Sequence, residues 1–461
     1  MQCLFAIVGL TWKAAFRFRL FLVVAVLLLA SVVGLPLLIK DDGTARGFTQ
    51  ILMTYTLSVI TGLLGLSTLW LACGTLARDI EESQIQVVVV KPVARWQIWL
   101  GKWLGIVLLD AALLALSGAS VYGLLQWRAT RLPAAEQKTL RNEVLVARGS
   151  LKEPSVENEI ESETSRLLED RLKKNPATTA NLTEARRQIR DQVKIEYQLV
   201  PPGYSRVWQI GLGLKKQSLR GQPLQLRIKF NALDKSPSGT FAALWQVGVP
   251  QKTRLWRSET MRLAPDTFYE FEIPPDLFDE NGMLSILFMN SNNSALLFPL
   301  DEGLEVLYHE GGFGLNFARG LGIIFCWMAL LAALGLMAAS FLSFPVATFF
   351  ALAMLMVVFS SGTLADAIDS GSVAAGNEET GQAGHSVMDV VLIPAFKGLL
   401  TVISLVKSYS PIDSLSTGRS ITWGELSLAF AQVVLLVGGG FSAAGIFFFN
   451  RRELATAQGT Q

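Results

Sequence analysis

The stretch 78–102 carries the residues of this chain best suited to binding a partner protein. Its side chains are acidic at the start, apolar in the middle and basic toward the end. Charged groups around an apolar patch can pair with a soluble protein while the patch fills a groove on it. The residues that we assign to such contacts are Glu81, Glu82, Val88, Pro92, Arg95 and Lys102. An interfacial amphipathic helix with snorkelling basic side chains is the alternative interpretation.

Asp110 is the other residue whose side chain suggests a functional role, because it is ionisable and lies inside the otherwise apolar segment 99–125. An ionisable side chain at such depth in a membrane is costly, and it marks a transport pathway or pairs with a polar group in the helix bundle. The sequence leaves both interpretations open.

Sequence motifs for catalysis and metal binding are absent. The chain has two histidines, His309 and His385, and three cysteines, without C-x-x-C or H-E-x-x-H spacing. It contains no G-x-x-x-x-G-K-[ST] loop for nucleotide phosphates. Its net charge of +2 gives no field that would attract nucleic acid. We therefore expect a non-catalytic chain with no cofactor or metal of its own and no nucleic-acid partner.

The composition indicates a polytopic membrane protein. Of the 461 residues, 51% are hydrophobic and only 17% are charged. We predict six transmembrane helices over the apolar segments 20–39, 52–73, 99–125, 321–342, 346–358 and 426–449. A cleaved signal peptide is the alternative interpretation of the first segment.

The segment 388–408 is apolar but contains Pro394 and Lys397. A lipid-exposed crossing with both residues inside is unfavourable, so we predict a re-entrant or interfacial pair of short helices. A seventh span is the alternative.

A polar region, 127–312, is inserted between the predicted spans 1–126 and 313–461. Its first part, 134–200, has apolar residues at helical spacing and predicts a helical hairpin. Its second part, 203–312, alternates apolar and polar residues, as in Leu224 to Lys229, and predicts a β-sandwich. Three tryptophans in it are interpreted as core residues, with a stacking surface for a ligand as the alternative: Trp208, Trp245 and Trp256. The predicted fold is thus a six-helix membrane protein with an inserted α+β domain.

The segment 76–102 resembles the cytoplasmic coupling segment of ABC transporter permeases of the ABC-2 type, in the subgroup that includes the nitrous-oxide-reductase-maturation and gliding permeases. The matching residues are Glu81, Glu82, Pro92, Arg95, Gly101 and Lys102. The segment also lies between the second and third predicted spans, and the last span ends in Arg451-Arg452-Glu453, as in the family. The insertion 127–312 departs from the plainer members.

The resemblance implies a permease subunit of an exporter in the inner or plasma membrane. A separate ABC ATP-binding subunit would hold ATP and magnesium and dock on the coupling segment. A second permease copy, identical or homologous, would complete the path within the membrane lipid. Both termini would be cytoplasmic and residues 127–312 extracytoplasmic, where a protein or a glycan is a further candidate partner.

Two other functions fit the same residues. In one, the ATPase drives a shape change that the inserted domain passes to an extracytoplasmic protein without transport. In the other, the chain is a membrane-anchored binding module without an ATPase. An adjacent reading frame for an ATPase would count against the second.

Overall fold

The computed structural model describes residues 2–17, 20–38, 44–82, 93–174, 182–234, 236, 238–370 and 389–452. The chain forms two compact units. The helical unit comprises Met1–Ala147 and Gly311–Gln461, and the sandwich unit comprises Arg148–Glu310. The first boundary lies beyond position 127, where the sequence analysis places it, because Leu140 and Val144 are buried in the apolar core of the helical unit.

Helices account for nearly all of the described residues of the helical unit. In chain order the α-helices of the described residues are α1 (Gln2–Arg17), α2 (Leu20–Leu38), α3 (Ala45–Glu81), α4 (Arg95–Ala129), α5 (Ala134–Glu143), α6 (Glu157–Lys174), α7 (Leu182–Gln198), α8 (Lys216–Leu219), α9 (Phe313–Phe341), α10 (Phe344–Phe359), α11 (Ser361–Ser370), α12 (Asp389–Lys407), α13 (Pro411–Ser416), α14 (Trp423–Ala429) and α15 (Gly439–Arg451). A π-helical segment, Phe430–Gly438, joins α14 to α15, and together they form one last helix, Trp423–Arg451.

Among the described residues, five helices are long and apolar enough to cross a membrane, and they are Arg46–Glu81, Arg95–Ala129, Phe313–Phe341, Leu392–Ser416 and Trp423–Arg451. Four of them contain predicted spans. The first and fifth predicted spans correspond to the shorter helices α2 and α10, so the count of six is not confirmed. Most of the segment 388–408 belongs to the fourth long helix, Leu392–Ser416. A further membrane span is therefore an alternative to the predicted re-entrant pair of short helices.

The amino-terminal helix α1 packs along α4 through two glycines one helical turn apart. A Cβ atom on Gly101 would lie 2.8 Å from Ile7 Cγ2, and one on Gly105 would lie 2.8 Å from Thr11 Cβ. The Trp12 indole donates to the Gly105 carbonyl at 2.9 Å. Small residues at this spacing let two helices approach closely, so Gly101 and Gly105 form a groove for α1.

The sandwich unit consists mainly of short strands. They are β1 (Val146–Leu151), β2 (Leu199–Val200), β3 (Ser205–Gly211), β4 (Leu224–Ile228), β5 (Asn231–Ala232), β6 (Phe241–Val247), β7 (Trp256–Arg257), β8 (Met261–Leu263), β9 (Tyr269–Ile273), β10 (Met283–Met289), β11 (Leu296–Leu297) and β12 (Leu304–Gly312). One sheet has the order β1-β12-β4-β9 and another the order β3-β10-β6-β7, with β8 also paired to β6. A third, small sheet has the order β2-β11-β5.

The two larger sheets share one apolar core, as the predicted β-sandwich requires. Leu226 of the first sheet and Trp245 of the second are both 0% exposed within it. Trp208 lies 6.0 Å from Trp245 between ring centroids, and Phe288 lies 4.8 Å from it. Aromatic rings at such distances stabilise a core beyond their buried area. The core interpretation of Trp208 and Trp245 is confirmed, and Trp256 packs at the core's edge.

The opposite face of the first sheet carries a layer of buried charge, with one member on each strand. The members are Arg148 on β1, Glu305 on β12, Arg227 on β4 and Glu270 on β9. Arg148 Nη1 lies 2.9 Å from Glu270 Oε2, and Arg227 Nη1 lies 3.4 Å from Glu305 Oε1. Alternation in Leu224 to Lys229 predicts a strand with one solvated face, but Arg227 is only 5% exposed. The polar face of this strand is therefore buried too.

Two further features of the sandwich unit bear on the sequence analysis. Ile160 of α6 packs with Ile189 and Val193 of α7, which confirms the predicted pairing of two helices within 134–200. Asn175-Pro176, which predicts a break between the two helices, lies outside the described residues. Asn281-Gly282 forms a turn with Gly282 at φ +77°. An Asn-Gly pair between two apolar runs predicts a β-hairpin, but this prediction is wrong here, since β9 and β10 on either side of the turn belong to different sheets.

Candidate functional site

The candidate site is the end of the helical unit at which the chain leaves α3 and enters α4. Helix α3 ends at Glu81 and α4 begins at Arg95. The connecting segment 83–92, which includes Val88 and Pro92, lies outside the described residues. Glu82 immediately precedes it and is exposed. The site is therefore built from the two helix ends that hold this segment.

Arg95 joins the start of α4 to the end of the last helix. Its Nη1 atom donates to the backbone carbonyls of Phe449, Asn450 and Arg452 at 3.1, 2.8 and 3.0 Å. The final carbonyls of a helix have no partner within the helix and carry partial negative charge. A guanidinium supplies both the donors and the positive charge that this end lacks.

Arg452 makes the equivalent connection to α9. Its Nη1 atom lies 3.3 Å from the carbonyl oxygens of Ala339 and Ser340, near the end of that helix. The backbone carbonyl of Arg452 itself accepts from Arg95. The ends of α4, the last helix and α9 are thus linked in series by two arginines.

Glu81 caps the start of α10. Its Oε1 atom accepts a hydrogen bond from the Phe344 backbone N–H at 2.8 Å, whereas the N-cap residue, Ser343, makes no side-chain cap. The Arg78 guanidinium lies 4.3 Å from the centroid of the Phe344 ring. A carboxylate at a helix amino terminus satisfies an unpaired donor and complements the helix dipole. The end of α3 therefore fixes the beginning of α10.

Lys102 joins α4 to α3. Its Nζ atom lies 2.5 Å from Asp79 Oδ2 and donates to the Thr75 carbonyl at 2.8 Å. Lys102 is 7% exposed, so its charge is held mostly away from water. A charged pair in such surroundings constrains two helices more than one at an open surface does. We call Asp79, Glu81, Arg95, Lys102 and Arg452 the helix-end cluster.

Asp110 lies farther along α4 and takes no part in this cluster. It is 2% exposed, and its Oδ2 atom lies 2.9 Å from Thr68 Oγ1 of α3. The polar partner that the sequence analysis considers is therefore present in the bundle. Lys102 and Asp110 form two polar connections between α4 and α3 at different levels.

The structure separates the predicted contact residues by role. Glu81, Arg95 and Lys102 each bond another helix of the same unit, and Glu81 and Glu82 are the exposed ones among the described contact residues. The groove for α1 was not predicted from the sequence, although Gly101-x-x-x-Gly105 is its visible signal. The pairing of Asp79 with Lys102 was not predicted either, because their spacing alone does not show that α3 and α4 are antiparallel neighbours.

Among the described residues there is no group of three or more His, Cys, Asp or Glu side chains that could hold a metal ion. Comparisons with protein-family models, curated proteins and solved structures find no match to this chain. The helix ends that flank 83–92 are thus bonded directly to α10 and to the last helix, and through Arg452 to α9.

Proposed function

We propose that this chain is the membrane-spanning permease subunit of an ABC-2 type ATP-binding cassette exporter. The observation that carries the proposal is the helix-end cluster, which joins both ends of the segment 83–92 to the rest of the helical unit. The five long apolar helices supply the membrane-crossing part. ATP and magnesium would be bound by a separate subunit, and a second permease copy would complete the path.

A push on the segment 83–92 would move α3 and α4 together, because Lys102 and Asp79 fasten one to the other. Glu81 would carry the movement to α10, and Arg95 would carry it to the last helix. From there Arg452 would carry it to α9. Hydrogen bonds that involve a charged group are stronger than neutral ones, so these connections would move as a unit rather than stretch.

This proposal divides the predicted contact residues into two groups. Glu82, Val88 and Pro92 would touch the ATP-binding subunit. Arg95 and Lys102, in contrast, would position the helix ends that receive the force. Glu81 would act with them through its cap on α10.

The helical unit would lie in the inner or plasma membrane with both termini cytoplasmic. The segment 83–92 would then face the cytoplasm, where an ATP-binding subunit can reach it. The sandwich unit would be extracytoplasmic, in reach of a protein or a glycan on that side.

The test is purification of the tagged chain from its native membrane in mild detergent, followed by identification of bound proteins and an assay of ATP hydrolysis. We expect an ATP-binding subunit that is lost in Glu82→Lys and retained in Glu136→Lys. Glu136 is an exposed acid in α5, beyond the opposite end of α4, so it controls for charge reversal alone. A chain that purifies without any ATPase would contradict the proposal.

A second candidate is a mechanical transmitter that acts on an extracytoplasmic protein without transport. The buried layer of Arg148, Arg227, Glu270 and Glu305 favours it, because ion pairs on four successive strands oppose shear of the sheet. Breaking one buried pair is costly, so Glu305→Gln should weaken transmission before it affects ATP hydrolysis. ATP-dependent export of a solute by the purified complex in vesicles would exclude this candidate. A membrane-anchored binding module without an ATPase is the remaining alternative, and the same purification tests it.

A further inference from the structure

Strand β3 is an edge of its sheet, and its second side is open. In the described part of the chain it pairs only with β10. At its two ends, the Leu212 N–H donates to the chain beside β10 and the Tyr204 carbonyl accepts from it. Backbone bonds to one antiparallel neighbour recur at every second residue, so those to β10 fall at even-numbered positions. The odd-numbered residues of β3 are exposed and direct their backbone N–H and C=O groups away from β10, and they are Ser205, Val207, Gln209 and Gly211.

Two other sheet edges carry features that discourage pairing with a further strand, and β3 lacks them. The edge strand β9 contains Glu270 and Glu272, and the edge strand β7 has only two residues. Charged side chains and short strands both protect an edge. Strand β3 has seven residues and no proline. Its one charged residue, Arg206, is turned onto its own unit, where the guanidinium lies 4.7 Å from the Trp208 ring centroid and 3.6 Å from Glu153.

A second copy of β3, antiparallel to the first and related to it by a two-fold axis at Trp208, would complete the bonding of this edge. Ser205 would then lie opposite Gly211 of the partner subunit, and Val207 opposite Gln209 of the partner subunit, each pair occurring twice by symmetry. Each of these pairs exchanges two backbone hydrogen bonds, which gives about eight bonds in all. An axis one position away would leave a residue at one end of β3 without a strand residue opposite.

The charge distribution of β3 favours a second copy over an unrelated acidic or basic segment. Its odd-numbered residues are uncharged, so the open edge has no side chain that would pair with a charged peptide. In the two-fold arrangement Arg206 would lie opposite Ile210 of the partner subunit, and the like charges that destabilise opposed strands would not meet. Val207 is 45% exposed, and the opposed Gln209 of the partner subunit would cover part of it.

We propose that β3 joins two copies of this chain by this antiparallel pairing. Two sheets of the order β3-β10-β6-β7 then become one continuous sheet through the two copies of β3. The inference concerns the sandwich unit and does not rest on the proposed transporter function. Failure of the pairing would leave the test with the ATP-binding subunit untouched, and loss of that subunit would leave the pairing untouched.

The test is disulfide cross-linking of the full-length chain in opened native membranes with copper phenanthroline. Two differently tagged chains are co-expressed, one with Val207→Cys and one with Gln209→Cys, both with Cys3→Ser because Cys3 is an exposed cysteine. Opposed residues of this kind have Cα atoms about 5.5 Å apart, within the range of a disulfide. We expect a linked dimer that carries both tags. The matched control is Met289→Cys with Gln209→Cys. Met289 is exposed on β10, two strand spacings or about 10 Å from the partner's β3, so this pair should give about tenfold less product.

Two charge variants test the position of the two-fold axis. Val207→Lys with Gln209→Lys puts lysines opposite each other, whereas Val207→Lys with Gln209→Glu puts a lysine opposite a glutamate at the same positions. Cross-linking is followed between Ser205→Cys and Gly211→Cys, the outer pair, and a side chain at Gly211 has room beside Met283. The variant with two lysines should lose most of the product, and the variant with opposite charges should keep it.

Each remaining outcome overturns the inference. Cross-linking no greater than that of the Met289 control would show that β3 does not lie beside a second copy. Equal cross-linking in the two charge variants would show that the copies meet in another register, and linkage of the chain to another protein would show that the edge takes a foreign strand. Should the cysteine variants fail to accumulate, hydrogen exchange decides the question without them. Peptides that cover 205–211 should exchange faster in Val207→Lys with Gln209→Lys than in Val207→Lys with Gln209→Glu, and equal exchange would count against the pairing.

Discussion

Arg95 and Asn450 bring the first turn of α4 to the last turn of the final helix. The Arg95 Nη1 atom donates to the Asn450 carbonyl at 2.8 Å across 355 positions of sequence. The helix that follows the segment 83–92 therefore begins at a residue that is hydrogen-bonded to the end of the final helix. In the proposed transporter, a force from an ATP-binding subunit reaches two distant parts of the sequence at once.

Removing the Arg95 guanidinium should loosen the end of the last helix. Arg95→Ala leaves the carbonyls of Phe449, Asn450 and Arg452 without their charged donor, and we expect a loss of about 2 kcal/mol in the free energy of unfolding. Thermal unfolding of the purified chain measures it. Arg451→Ala is the matched control, because Arg451 is exposed and contacts only the Phe447 ring among the contacts described. An equal loss in both variants would contradict the capping role.

The cap that Glu81 places on α10 should show in amide exchange. Glu81→Ala removes the acceptor for the Phe344 N–H, at a cost of about 1 kcal/mol. Hydrogen exchange measured by mass spectrometry should then be faster in peptides that begin near Phe344. Glu81→Gln keeps a side-chain oxygen that can accept, so exchange there should stay close to that of the unaltered chain. Faster exchange in Glu81→Gln as large as in Glu81→Ala would show that the hydrogen bond itself is unimportant.

Lys102 and Asp79 should be energetically coupled. A double-mutant cycle with Lys102→Met and Asp79→Asn should give an interaction energy of about 1 kcal/mol or more, because the lysine is buried and the two groups touch. Each single variant leaves a charge without its partner, so the double variant should be more stable than the sum of the single effects predicts. Strict additivity would mean that this pair does not fasten α3 to α4.

Filling the groove for α1 should displace that helix. Gly105→Ala puts a methyl group 2.8 Å from Thr11 Cβ, which is closer than two carbon atoms pack, and we expect a loss of about 1 to 3 kcal/mol. Gly123→Ala on the same helix has nothing within 4 Å, and it should be neutral or stabilising by up to about 1 kcal/mol through helix propensity. Thermal unfolding of the two variants makes the comparison. A similar effect of both would show that α1 does not occupy the groove.

Acid should weaken the turn that Asp279 organises. The Met283 N–H donates to Asp279 Oδ1 at 2.8 Å and the Asn281 N–H at 2.9 Å, and these bonds, with Lys252 nearby, lower the pKa of Asp279. A carboxylate with a lowered pKa contributes stability that is present above the ordinary carboxyl pKa and is lost as the pH falls through the lowered value. The protection of amides in peptides that cover 279–289, corrected for the intrinsic exchange rate at each pH, should therefore fall at acid pH. In Asp279→Asn the same peptides should show a smaller dependence on pH, and an unchanged dependence would assign it to another group.

The repeating patterns of the sequence were sufficient to predict which segments form long apolar helices and which form strands. The apolar segments 52–73, 99–125, 321–342 and 426–449 fall in long apolar helices. The alternation of apolar and polar residues from Leu224 onward predicted strand β4 of the sandwich unit. Such patterns arise between residues that are close in sequence, where helix and strand geometry alone decides which side chains share a face.

Only the tertiary structure decided which ends and faces meet. Glu81 caps a helix that begins 263 positions later, and the first sheet buries Arg227 on a face that alternation assigns to water. No local pattern contains this information, because it depends on which element packs alongside. The charges of the segment 78–102 were visible in the sequence from the start, but their partners within the unit follow from the packing of α3, α4, α9, α10 and the last helix. That packing is also what places the Asp110 carboxyl beside the Thr68 hydroxyl.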